Sequence, residues 1–167
     1  MTLLWPVLAG LALLRLGELR LARRNTRRLL ARGAVERSPG HYPLIVALHA
    51  AWLIAMALNI PPDRPADPWL LAVFLLLLAG RAWVIASLGP FWTTRIISLP
   101  GQALVRRGPY RFLRHPNYLV VAGEIAVLPL AFGAWRLALV FSLLNGLLLG
   151  WRIHCEDQAL APRREIW

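Results

Sequence analysis

WLLAVFLLLLAGRAWVIASL, from Trp69 to Leu88, is the stretch that decides the fold. Arg81 is its one charge, and at 1.5 Å rise per residue a helix of this length reaches roughly 30 Å, the thickness of a bilayer's hydrocarbon core. Working outward, four further apolar runs appear: Leu3 to Leu21, Leu44 to Ile60, Asn117 to Phe132 and Trp135 to Ile153. Unpaired backbone groups are costly in lipid, and the alternating pattern of a barrel is missing, so every run is expected to be helical. The expectation is an all-α, polytopic transmembrane bundle of about five membrane helices. It forms a single integral membrane domain over 1–167, with three transmembrane helices in 1–88 and the remainder in 89–167. The last two runs are joined by a few residues only, which predicts an antiparallel C-terminal helical hairpin.

Composition agrees. Of the 167 residues 58% are hydrophobic, more apolar surface than a soluble domain of this size can hide. The 19 basic residues are all arginine and face 8 acids, a net charge of +11. These charges fall between the apolar runs instead of covering a polar surface, which argues against nucleic-acid binding. The single cysteine, Cys155, excludes an internal disulfide. Leu3 to Leu14 lacks a basic leader and a cleavage site, and is read as a retained membrane helix.

Arginine position sets the orientation. Arg20 to Arg37 holds seven arginines, Gly89 to His115 holds five, and the tail adds Arg152, Arg163 and Arg164. Pro61 to Pro68 holds only Arg64 beside two aspartates, and the Gly133–Arg136 turn holds one arginine. The positive-inside rule then puts the N-terminus outside, and the basic connections and C-terminus on the cytoplasmic side of a membrane, for a bacterium the inner one. Arg20 to Arg37 are expected to fix topology and meet anionic lipid. Arg15 and Glu18 should pair within the first helix, while Arg81, His49, Trp5, Trp52, Trp69 and Trp135 read as structural or interfacial anchors. Ser38-Pro39-Gly40, the PPDRPADP hairpin and Leu99-Pro100-Gly101 punctuate the connections.

Chemistry concentrates in Phe91 to Tyr118, FWTTRIISLPGQALVRRGPYRFLRHPNY, too polar to span and too aromatic for a plain linker. Proline is preorganised for a first helical position, so the fourth helix is expected to start near Pro116 with His115 beside its first turn. Its free N–H groups and positive dipole end suit an anion. Glu124 lies two turns further in, about 10 Å into the membrane, and is costly there unless paired, protonated or facing a wet cavity. Partners are expected where the fifth helix emerges, with Arg152 and Glu156 four apart on one face and Asp157 adjacent; an arginine of another helix is the alternative. Arg95 is placed to steer or hold an anionic head group. The set His115, His154, Cys155 and Glu156 fits no zinc pattern, and no metal is expected.

GPYRFLRHPNY, followed after one hydrophobic hairpin by RIHCEDQAL, resembles the paired signature of the isoprenylcysteine carboxyl methyltransferases. That signature joins a G-x-Y…RHP-x-Y block to an R-[IV]-x-x-E-[ED]-x-x-L block, and here it covers about Leu104 to Leu160. The preceding FWTTRIISLPG is similar to a bacterial branch found beside type III polyketide synthases, whose members methylate alkylpyrones or alkylresorcinols. The resemblance implies an S-adenosyl-L-methionine-dependent O-methyltransferase acting on the carboxylate or hydroxyl of a lipophilic acceptor, such as a prenylcysteine or an alkylpyrone. The absence of a GxGxxG loop and of a strand–helix alternation agrees that any cofactor must sit among helix ends. By the same resemblance Tyr110, His115, Pro116, Tyr118, Arg152, Glu156 and Asp157 hold the cofactor. His115 or Glu124 would serve as base toward a hydroxyl, and Arg95 would orient the acceptor. A second reading is a non-enzymatic small transporter or assembly subunit in which Glu124 and the arginines line a polar path.

Overall fold

The computed structural model describes residues 3–38, 40 and 42–164, with side chains through 161. Pro39 of the expected turn and the side chains of Arg163 and Arg164 lie outside the described residues. Among the described residues five α-helices run in chain order: α1 (Leu4–Leu30), α2 (Tyr42–Asn59), α3 (Pro68–Leu88), α4 (Pro116–Ala131) and α5 (Trp135–Arg164). Three stretches, Tyr42–Asn59, Pro68–Phe91 and Trp135–Ala161, are long and apolar enough to cross a membrane. Their outer faces need an apolar solvent, because Leu58, Trp69, Leu76 and Leu147 are each more than 70% exposed.

Local chemistry sets the helix ends. Asp67 caps α3, its carboxylate accepting from the backbone N–H groups of Trp69 and Leu70 at 2.8 and 3.1 Å, and Pro68 takes the first position. Gly89, at φ 53°, closes the same helix in a conformation that a side chain would resist. The α4–α5 connection turns at Gly133 (φ 71°), where the guanidinium of Arg64 occupies the space a Cβ would need.

Two elements depart from the sequence expectation. The arginine-rich Arg20 to Arg37 is largely helix, since α1 continues to Leu30. Arginine is a good helix former, and Ala22, Asn25 and Leu29 supply a buried stripe that docks this extension. The chain is also not purely helical. Val35–Arg37 (β1) pairs antiparallel with Ile96–Ser98 (β2), with Glu36 opposite Ile97. Three-residue strands carry too little alternation to be read from a sequence.

One apolar core, including Leu8, Trp52, Phe74, Ile125, Leu128 and Phe141, draws on all five helices. Between it and the connection 89–115 lies a layer of charge. Glu18 and Arg15 pair within α1 as expected, at 2.8 Å. Glu124 does not meet α5. Its Oε2 accepts from Arg15 at 2.8 Å and from Arg81 of α3 at 3.4 Å, and Arg81 also grips Glu18 at 2.8 Å. Glu124 sits eight residues in from the start of α4 and Arg81 seven from the end of α3, about 11–12 Å by helical rise, so the charges they hold together share one depth. Two arginines against two glutamates cancel, as buried charge requires.

Candidate active site

A cavity of about 840 Å³ opens at the end of the bundle where α3 stops and α4 starts. It is walled by the connection 91–115, the first turn of α4 and the exposed end of α5. The connection is strapped to α3: Arg107 donates from Nε to the Ser87 carbonyl at 2.7 Å, and Gly108 follows at φ 58°. A Cβ at Gly108 would stand 2.0 Å from Ser87 Oγ, so only glycine permits this approach. The chain then turns through the short 3-10 segment Gly108–Arg111, which delivers Tyr110 to the cavity against the buried Val84–Trp92 cluster. Burial, and secondarily the charge of Glu156, push the Tyr110 phenol above its ordinary pKa, so it stays protonated.

His115 and Pro116 open α4 as the sequence suggests, although the His115 side chain caps no backbone group. Its ring instead stacks on Tyr118, with centroids 5.3 Å apart, and its Nε2 lies 3.4 Å from Asp157 Oδ1. Tyr118 is the hub. Its hydroxyl donates to Glu156 and accepts from Arg152 Nε at 2.7 Å, while the Arg152 guanidinium carbon lies 5.6 Å from the Tyr118 ring centre. Residues 110–118 and 152–157, far apart in sequence, therefore meet at one surface.

Of the residues expected from sequence, Arg95, Tyr110, His115, Tyr118, Arg152 and Glu156 line this cavity. Pro116 is buried behind it, and Asp157 reaches it through His115. Glu124 lies beneath the floor in the charge layer and is not part of the lining. Arg95 is held on two sides, by Glu36 of β1 at 3.0 Å and over the Tyr42 ring at 5.0 Å.

Sequence reasoning passed over Trp92, Asn25 and Asn117. Trp92 is 3% exposed, lines the cavity and lies 5.9 Å from Arg81 of the charge layer. Asn25 Nδ2 donates to the carbonyls of Gly89 and Trp92 at 3.0 and 2.9 Å, which pins that segment to α1. Its signal was the spacing of Ala22, Asn25 and Leu29, a narrow buried stripe within a run of arginines. Asn117 Oδ1 is buried and makes no hydrogen bond.

The model of the isoprenylcysteine carboxyl methyltransferase family matches residues 70–162, more than half of the chain and both halves of the cavity. The chain belongs to that family. It is 37% identical over 160 residues to the uncharacterized protein YpbQ of Bacillus subtilis (strain 168), an alignment covering 93% of this chain and 95% of the relative. An uncharacterized protein of Haemophilus influenzae is 27% identical over 153 residues, covering 89% of each. No solved structure matches. The isoprenylcysteine carboxyl methyltransferase segment begins inside α3, so α1, β1 and α2 lie outside it. That outer part nonetheless supplies Leu29 to the cavity wall, Asn25 beneath it and Glu36 on Arg95.

Proposed function

We propose that this chain is a membrane-embedded O-methyltransferase that uses S-adenosyl-L-methionine and takes a lipophilic acceptor from the bilayer. In this reading all five helices cross, the N-terminus is outside, and the cavity opens to the cytoplasm. The observation that carries it is the meeting of His115 and Tyr118 with Arg152, Glu156 and Asp157 around one cavity.

The residues fit such a donor. Arg152 uses Nε on Tyr118, and its terminal nitrogens make no hydrogen bond with a described residue, which leaves a planar two-donor edge for a carboxylate. Glu156 and Asp157 suit an ammonium group or ribose hydroxyls. Trp92 Nε1 and Asn117 Oδ1 are buried without hydrogen-bond partners, an arrangement stable proteins avoid unless a ligand or water completes it. The rings of Tyr110 and Tyr118 offer negative faces to a sulfonium. When bound, the cofactor supplies an activated methyl group.

The protein's task is then to align the acceptor and exclude water. An acceptor carboxylate oxygen already carries the electron pair for the new C–O bond and needs no base. A hydroxyl acceptor must lose its proton, and His115, beside Asp157, is placed to receive it; Glu124, enclosed by Arg15 and Arg81, is not. Arg95 would orient an anionic head group. The apolar lining from Phe91, Ile97, Leu99, Leu104 and Leu113 suits a lipid tail. Prenylated cysteine carboxylates and alkylpyrone or alkylresorcinol hydroxyls both meet this description.

Calorimetry of the purified, folded protein should detect S-adenosylhomocysteine binding, and Arg152→Ala should abolish it. Folded protein that binds none would defeat the reading. A methyl-transfer assay over a panel of lipid acids, phenols and pyrones would then identify the acceptor.

A further inference from the structure

The end of α1 has two faces with different occupants. Inward, Ala22, Asn25 and Leu29 are buried; Asn25 ties down Gly89 and Trp92, and Leu29 lines the cavity. Outward, Arg20, Arg23, Arg24, Arg27, Arg28 and, just past the helix, Arg32 are all exposed, and none makes a side-chain hydrogen bond or ion pair with another described residue. Most are spaced three or four residues from the next, so like charges are stacked as neighbours along the helix, an arrangement that opposes helix formation. The negative dipole end relieves this only in the last turn, at Arg27 and Arg28. The extension therefore calls for bound anions.

The same helix says where those anions lie. Leu13, Leu14 and Leu16 are 69%, 51% and 52% exposed, an apolar outer face that gives way to arginine from Arg20 onward. An apolar face running directly into a cationic one on a single helix crosses from hydrocarbon into the headgroup layer. A soluble acidic protein or nucleic acid would require no such apolar continuation.

We propose that the outer face of α1 from Arg20 to Arg32 binds the phosphates of anionic lipids in the leaflet beside the cavity, and that this binding orders the cavity wall carried on the helix's opposite face. This goes beyond fixing topology, because it links membrane composition to residues 89–92 through Asn25. It is independent of the methyl-transfer reading.

The test places the full chain in nanodiscs of phosphatidylcholine with and without phosphatidylglycerol. Phosphatidylglycerol should raise the unfolding midpoint by roughly 5 °C, less at high salt, and slow amide exchange at 22–30 and 89–92 by about tenfold. Replacing Arg23, Arg24, Arg27 and Arg28 by glutamine should remove both effects, while lysine at the same four positions should keep them. Soluble glycerol phosphate added to neutral discs should reproduce neither. An unchanged exchange pattern in the wild-type protein between the two lipid compositions would overturn the proposal, as would full protection by a soluble polyanion such as heparin in neutral discs. The wild-type comparison decides the matter even if the glutamine variant inserts wrongly.

Discussion

Glu124 Oε2 and Arg15 Nη2 lie 2.8 Å apart across 109 residues of sequence, and their contact joins a helix outside the family-matched segment to one inside it. Arg81 and Glu18 complete the layer, yet Glu124 Oε1 and Arg15 Nε remain without partners. A network left partly unsatisfied gives less than its ion-pair distances suggest.

Breaking that pair from one side should therefore be worse than removing it. Arg15→Met or Glu124→Met alone leaves the buried layer with one charge uncompensated, although Arg81 still reaches Glu124 and Glu18 still holds Arg15, and is expected to cost about 3 kcal/mol. The double variant leaves the Arg81–Glu18 pair intact and should recover most of the loss. Thermal or denaturant unfolding of the four proteins in detergent, arranged as a double-mutant cycle, measures this; equal loss in single and double variants would refute it.

Arg152→Lys keeps the charge at the cavity but removes the planar fork that bonds Tyr118 and leaves an edge free. S-adenosylhomocysteine affinity should fall by roughly tenfold or more, about 1.4 kcal/mol, with the unfolding midpoint nearly unchanged. Tyr118→Phe should weaken binding as well, because Arg152 and Glu156 lose the hydroxyl that fixes them both. Calorimetry on the two variants gives the answer, and wild-type affinity in both would remove the hub from the binding account.

Gly108→Ala meets two separate obstacles, a φ of 58° and a Cβ 2.0 Å from Ser87 Oγ. A destabilisation of about 2–4 kcal/mol is expected. Ser87→Gly introduced alongside it should restore only the steric share. A silent Gly108→Ala would mean that the strap across α3 is looser than described.

Tyr110 provides a pH test. Its phenol is raised above the ordinary value by burial and then by Glu156, so the folded state keeps a proton that the unfolded chain gives up at high pH. The contribution is fully present below the unfolded pKa of about 10 and declines as pH climbs above it. Tyr110→Phe should accordingly show a shallower loss of stability between about pH 10 and 12 than the parent protein. Identical slopes would contradict the assigned burial.

The helices were legible because lipid leaves the backbone few options: once Trp69 to Leu88 is recognised as long and apolar, helix follows. The residues of the cavity were legible because two short, chemically distinctive strings flank the last two apolar runs. The sequence read poorly where a structure depends on distant partners. Whether Glu124 faces Arg152 or Arg15 depends on how helices rotate against each other, and the apolar surroundings of Glu124 are compatible with either. Arg20 to Arg37 reads as a connection because the apolar run gives way to arginine there, whereas the stripe of Ala22, Asn25 and Leu29 makes its first part, as far as Leu30, a docked helix. The β1–β2 ribbon joins segments some sixty residues apart through strands of three residues, below what alternation can signal.

Arg152 and Glu156, which grip the Tyr118 hydroxyl, lie on the final helix. The hydroxyl's two partners lie 34 and 38 residues further along the chain, so this end of the cavity exists only once α5 has folded back against α4. Sliding α5 along α4 by one helical turn, about 5.4 Å, would part all three side chains, so the register between these two helices assembles the polar end of the cavity.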